Sequence, residues 1–337
     1  MLLDKYLIDN LNVLGVKIMK KSGLDAAPKN LNEMIKFFET LKKEAENNDN
    51  VSANMIYKVL YNFVSSVEVR DRHTSPRFFE DIFAAVFDTY GTDTQRRDNP
   101  VSTSEIKKYD IFTKNEDWDI SADLSGNKRE KADVRIGEYA ISLKTLKGVQ
   151  INENRKLVDK SFNDEINVGS FSYRALFKGV LSDGELALLS DRKGGLGSKK
   201  QIRKNVLDPI KKSGKSKELL ERLKLFFSYV YEEDLLILIK SDYQIKLHFI
   251  PNKTFVDVIC LLYEKDEANF QDVWGRWENN NLRFGLTSLL KCIDKYKLTY
   301  KEIVLNLDVF KKNKSLNTFT DSISRHIKSE LTKLSYE

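Results

Sequence analysis

Residues 132–144 constrain the fold more than any other stretch of the chain. They read Ala132-Asp133-Val134-Arg135-Ile136-Gly137-Glu138-Tyr139-Ala140-Ile141-Ser142-Leu143-Lys144. Two alternating runs flank Gly137-Glu138. A glycine at the first central position suits a two-residue type II′ hairpin turn, because glycine adopts positive φ without steric cost. That turn sets the register: Ile136 faces Tyr139, Arg135 faces Ala140, Val134 faces Ile141, and Asp133 faces Ser142. Side chains alternate across a strand. Val134, Ile136, Tyr139, Ile141 and Leu143 therefore share an apolar face, and Asp133, Ser142 and Lys144 share the other. The Cβ atoms of that polar set are expected about 5–8 Å apart.

Around this hairpin the pattern changes twice. Over the first 90 residues or so, apolar side chains recur at three- and four-residue spacing, as in helices. Leu31, Met34, Ile35, Phe38 and Leu41 form one stripe, and Met55, Val59, Leu60 and Phe63 another; both read as core or dimer-forming faces. A third helix opens at Ser75-Pro76, a residue suited to the N-cap followed by one suited to the first helical position. Phe79, Ile82, Phe83, Val86 and Tyr90 line one face of it, with Glu80 on the flank. Strands are expected at 133–136, 139–144, 185–189, 235–240 and 244–250. After Pro251 the pattern reads mostly helical, at 254–263, 299–310 and 320–334. Helices, a small mixed sheet and helices again indicate an α/β (α+β) core with helical additions at both ends. The corresponding division is 1–74, 75–253 and 254–337.

Several chemistries are excluded early. Only two cysteines occur, Cys260 and Cys292, each in an apolar segment, which rules out a disulfide framework or a cysteine-rich zinc site. Three scattered histidines, His73, His248 and His326, carry no metal-ligand spacing. The opening residues place Asp4 and Asp9 inside the apolar pattern, unlike a signal peptide, and the apolar runs are too short to span a bilayer. The expectation is a cytoplasmic protein with no membrane partner.

The polar face of the hairpin suits phosphodiester hydrolysis. That reaction uses a divalent cation to offset phosphate charge and acidify the attacking water, and hard cations such as Mg²⁺ take carboxylate oxygens. A neighbouring ammonium stabilises developing charge or orients the water. Asp133 is the expected metal ligand and Lys144 the electrostatic group. An Asp on the first strand and a residue-x-Lys triplet on the second resemble the PD-(D/E)xK nucleases, with Asp-(x)₈-Ser142-Leu143-Lys144 matching the spacing.

The resemblance covers roughly residues 75–145. It implies a central mixed sheet of the restriction-endonuclease-like type flanked by helices, Mg²⁺ as cofactor, and Glu80 as the helical acid of the metal shell. It further implies a type II restriction endonuclease, a homodimer whose two-fold symmetry matches a symmetric double-stranded DNA site. The chain departs from the family at two positions. Ala132 replaces the proline, and Ser142 stands where Asp or Glu is expected, so the second carboxylate has to come from Glu80, Glu153 or Asp123. A repair or phage nuclease on the same core and a non-catalytic DNA-binding protein are the alternatives.

The charge distribution agrees with a polyanionic partner. Twelve Lys and Arg lie between Arg192 and Lys224 against Asp208, Glu218 and Glu221. That local excess of nine leaves the rest of a +6 chain at −3. Lys193, Lys199, Lys200, Arg203 and Lys204 follow or flank a glycine-rich loop and suit phosphate contacts. Lys147, Gln150, Asn152, Asn154, Arg155, Lys156 and Arg174 lie downstream of the hairpin and include side-chain types that read base edges. Trp274, Arg276 and Trp277 read as core rather than as a stacking platform.

Overall fold

The computed structural model describes residues 5–47, 50–66, 75–89, 91, 132–147, 165–170, 173–189, 196–230, 233–240, 244–274, 276–278 and 281–306. Four helices come first: α1 (Lys5–Lys21), α2 (Leu31–Asn47), α3 (Val51–Ser66) and α4 (Ser75–Ala85). The hairpin β1 (Val134–Ile136) and β2 (Tyr139–Lys147) follows, then β3 (Glu165–Ser170). The connection to the next central strand carries α5 (Tyr173–Phe177), α6 (Asp183–Leu188), α7 (Lys199–Ile202), a π-helical turn (Arg203–Leu207), α8 (Asp208–Lys212) and α9 (Ser216–Val230). The remainder is β4 (Asp234–Lys240), β5 (Gln244–Ile250), α10 (Asn252–Lys265), α11 (Glu267–Trp274), β6 (Arg276–Glu278), β7 (Asn281–Gly285), α12 (Leu286–Lys295) and β8 (Lys301–Asn306).

A five-stranded mixed sheet in the order β1-β2-β4-β5-β8 organises the chain. Among the described strands of this sheet only the β2–β4 pair is parallel, which is why a long crossover separates those two strands in sequence. A three-stranded antiparallel sheet, β3-β7-β6, forms a separate hydrogen-bonded ladder that shares a core with one face of it. The hairpin has the register that its turn requires, with Val134↔Ile141, Arg135↔Ala140 and Ile136↔Tyr139. Gly137 has φ of 59°, and Glu138 is not among the positive-φ residues, the pattern of a type II′ turn.

The central sheet is buried on both faces. Val134, Ile136, Ile141, Leu143, Leu236 and Leu238 pack with the N-terminal helices, including Met34, Phe37, Phe38 and Leu41 of α2. Leu235 and Ile237 point the other way, into a second core with α9, α10, α12 and the small sheet. Of the two expected N-terminal stripes, Leu31, Met34, Phe38, Leu41, Val59 and Leu60 are buried, with Ile35 and Met55 packed beside them, while the Phe63 side chain lies outside those described. Trp274 and Trp277 are buried in an aromatic cluster with Phe177, Phe226, Phe227, Phe270 and Phe284, as core residues.

Two elements differ from expectation. Residues 185–189 were expected as a strand, but the segment folds as helix α6. Ser182 and Glu185 form a reciprocal capping box, in which the Glu185 carboxylate accepts the Ser182 N–H at 2.8 Å. Residues 299–310 were expected as a helix, yet 301–306 form edge strand β8. Ile303 and Leu305 alternate inward there, and α2 covers the edge: Lys42 donates to the Val304 carbonyl, and Glu46 accepts from Asn306 N–H. Among the described residues after Pro251, three strands, β6, β7 and β8, accompany the helices α10, α11 and α12. The expected helix 320–334 lies outside the described residues.

Helix α1 crosses α4 at a buried glycine. A Cβ at Gly15 would lie 1.9 Å from the Val86 carbonyl oxygen, which is backbone and has little room to yield. Gly15→Ala is expected to lower stability by about 1–3 kcal/mol through forced separation of the helices. Val13→Ala, at a position 54% exposed on the same helix, is expected to stay within about 0.5 kcal/mol. Urea denaturation of both variants distinguishes the two cases.

Candidate active site

The polar side of the β1–β2 hairpin is built by strand alternation. Ile141 and Leu143 enter the core beneath α1–α4, so Ser142 and Lys144 project from the opposite face. Their register partners on β4, Leu235 and Ile237, point the same way. Ser142 is therefore nearly inaccessible, at 3% exposure, and this face is a buried wall except at the β1 edge.

Asp133 precedes β1 and is held by three contacts. Its N–H donates to the Ile141 carbonyl at 3.1 Å, which prolongs the ladder by one bond. Its Oδ2 accepts the Leu143 N–H at 2.6 Å, where the β1–β2 ladder has ended. The same oxygen accepts from Lys144 Nζ at 3.1 Å, and both side chains are 23% exposed. The carboxylate and the ammonium thus lie side by side at the sheet edge.

Other acids bear on the same ammonium. Burial is the largest influence on Lys144 and works against its charge, but Asp133, Glu80 and Glu233 together outweigh it and raise the pKa above the ordinary lysine value. Lys144 is a cation at neutral pH. Because the folded value is raised, its stabilisation is complete below the ordinary lysine pKa and is lost only as pH climbs past the folded value.

Glu80 reaches this edge from α4 through a local anchor. Asp81 is 5% exposed, and its Oδ1 accepts the Gly91 N–H at 2.7 Å, while Gly91 forms a β-bridge with Val134. A methyl at Gly91 would lie 3.0 Å from Glu80 Cβ and 3.5 Å from Glu80 Oε2. The missing side chain at position 91 lets the helix acid come close to β1. Thr89 Oγ1 fixes the same strand by donating to the Arg135 carbonyl at 3.2 Å.

Of the acids considered for the place of the one missing at Ser142, Glu80 is brought to the site, whereas Glu153 and Asp123 lie outside the described residues. Glu233, 5% exposed and just ahead of β4, was missed. Its signal was the apolar strand that follows, but nothing in the sequence says which strand lies beside β2.

Mg²⁺ suits such a place when it keeps its waters and takes one or two carboxylates. Asp133 and Glu80 supply carboxylate oxygens of that kind. Among the described residues no three His, Cys, Asp or Glu side chains are grouped so as to hold a metal by themselves. His248 is buried at 2% exposure on β5, with Nδ1 3.5 Å from Glu302 Oε2, and burial lowers its pKa. Both cysteines are free thiols.

The basic segment forms an outer face. Lys199, Lys200, Arg203 and Lys204 are all exposed, along a helix capped at Ser198 and widened by the π-turn. Lys199 pairs with Asp272, and Arg203 lies 3.8 Å from Asp208. Leu196, at the end of the glycine-rich loop, is buried and accepts the Trp277 N–H at 3.1 Å, which ties this helix to the aromatic core. Lys147 ends β2 and Arg174 lies in α5. Gln150, Asn152, Asn154, Arg155, Lys156 and Lys193 lie outside the described residues. No helix among the described residues is long and apolar enough to cross a membrane.

The chain matches no protein-family model, no curated protein and no solved structure.

Replacing Lys144 with Met would leave the surrounding carboxylates without their ammonium. We expect a loss on the order of 1–3 kcal/mol at neutral pH. Because the folded pKa of Lys144 is raised, the gap from the parent protein should be full at neutral pH and shrink as pH climbs past the ordinary lysine value and the ammonium loses its proton. Thermal melts of both proteins from neutral pH to beyond the ordinary lysine range measure that gap.

Proposed function

We propose that the protein is a Mg²⁺-dependent endonuclease that cuts double-stranded DNA by phosphodiester hydrolysis, as a homodimeric type II restriction enzyme of the PD-(D/E)xK kind acting in the cytoplasm. The observation that carries this reading is the 3.1 Å pairing of Asp133 and Lys144 on the polar side of one hairpin, with Glu80 acting on the same ammonium. A mixed sheet in which that hairpin is followed by a parallel strand supports it further.

In this reading Asp133 and Glu80 hold the cation, which when bound supplies charge neutralisation and an acidified water. Lys144 donates to a phosphate oxygen or to the attacking water and offsets the charge that develops on the phosphorus centre. Ser142 contributes a hydroxyl to the same wall. The exposed Lys200 and Lys204, with Lys199 and Arg203 beside them, contact the DNA backbone and make binding weaken steeply with salt. Lys193 extends that contact. Lys147, Gln150, Asn152, Asn154, Arg155, Lys156 and Arg174 are the proposed elements of base and groove recognition.

A second reading is a DNA-binding protein without catalysis. It is favoured by Ser142 in place of the expected acid.

Plasmid DNA incubated with the protein tests both readings. With Mg²⁺ we expect discrete fragments, and none when Mg²⁺ is omitted. Lys144→Ala should cut about 100–1000-fold more slowly. Nicking or smearing would shift the reading to a repair or phage nuclease. No cleavage of any DNA, with retained binding, would support the non-catalytic reading.

A further inference from the structure

We propose that Glu233 is the positioning acid of this site: it holds the Lys144 ammonium in place from just ahead of strand β4, the strand next to the position where Ser142 lacks a carboxylate. The inference rests on the nuclease reading for its consequence in catalysis, but its geometry stands on the fold alone.

The parallel register pairs Ile141 with Asp234 and Ser142 with Leu235. Glu233 lies two residues before Leu235 and one before β4 begins, and continuing the strand's alternation by that one residue puts it on the Ser142–Lys144 side of the sheet. Asp234, by contrast, turns to the other side, where its Oδ2 accepts from the Tyr139 hydroxyl at 3.3 Å. The Lys144 side chain is directed back along β2 toward Asp133, at the end of β2 that adjoins the start of β4. It therefore leans toward Glu233.

Burial supports the same assignment. Glu233 is 5% exposed, beside a wall that includes Leu235 and Ile237. A carboxylate in such surroundings is costly unless a cation answers it, and Lys144 is a cation on which it acts. With Asp133 binding Nζ from one strand and Glu233 drawing it from another, the ammonium has a fixed place rather than a sweep of rotamers. An electrostatic catalyst needs that preorganisation, since small misplacements are expensive in rate.

A double-mutant cycle on the metal-free protein decides the pairing without reference to DNA. Glu233→Gln should lower the urea midpoint of the parent protein. In the Lys144→Met background the same change should leave the midpoint unchanged or raise it, because it then removes a buried charge that the ammonium no longer answers. Equal shifts in both backgrounds would overturn the proposal, whether or not the protein cuts DNA. The second arm is cleavage kinetics, where Glu233→Gln should lower kcat by about 100-fold with little change in KM for DNA. An unchanged kcat, with coupling present, would overturn the catalytic role. Absence of cleavage by the parent protein would instead remove the nuclease reading and leave the cycle to judge the pairing.

Discussion

The Asp133 carboxylate is where the hairpin, the ammonium and the strand ladder meet. One oxygen accepts both the Leu143 N–H and the Lys144 ammonium. The first bond ties the side chain to the backbone of β2, and the second orients the amine over the same strand. A carboxylate fixed in this way cannot rotate freely, so the polar corner of the sheet is set before any ligand arrives. Both groups keep 23% exposure, while Ser142 beside them is sealed.

That corner is available because the sheet is covered elsewhere. Helices α1–α4 occupy one face, and the crossover and C-terminal elements occupy the other. The β8 edge is closed by contacts from α2, and the β1 edge is partly closed by Thr89 and Gly91. The Asp81–Gly91 bond brings the chain after α4 onto β1, and with it the neighbouring Glu80. A buried polar contact between a helix and a loop thereby delivers an acid to a strand edge.

Charge is divided in the same spirit. Acids gather around Lys144, whereas the exposed lysines and arginines concentrate on the segment from α7 to α9. Some of those cations are paired internally, as Lys199 with Asp272 and Lys211 with Glu267. Carboxylates therefore gather at the hairpin corner and exposed cations on the outer helical face.

The sequence by itself determined the hairpin, its register and the grouping of Asp133, Ser142 and Lys144, because a two-residue turn and a period of two leave no freedom once Gly137 takes positive φ. It also determined that α2 and α4 present apolar faces and that Trp274 and Trp277 belong to a core. Local rules failed for α6, where the Ser182–Glu185 capping box outweighed an apolar run, and for β8, whose state depends on pairing with β5. Only the tertiary structure decided that β4 lies parallel to β2 and so brings Glu233 to Lys144, that Gly91 admits Glu80, and that the hairpin's polar side is a buried wall. Those outcomes depend on contacts between residues far apart in the chain, and no local period or turn encodes which strands become neighbours.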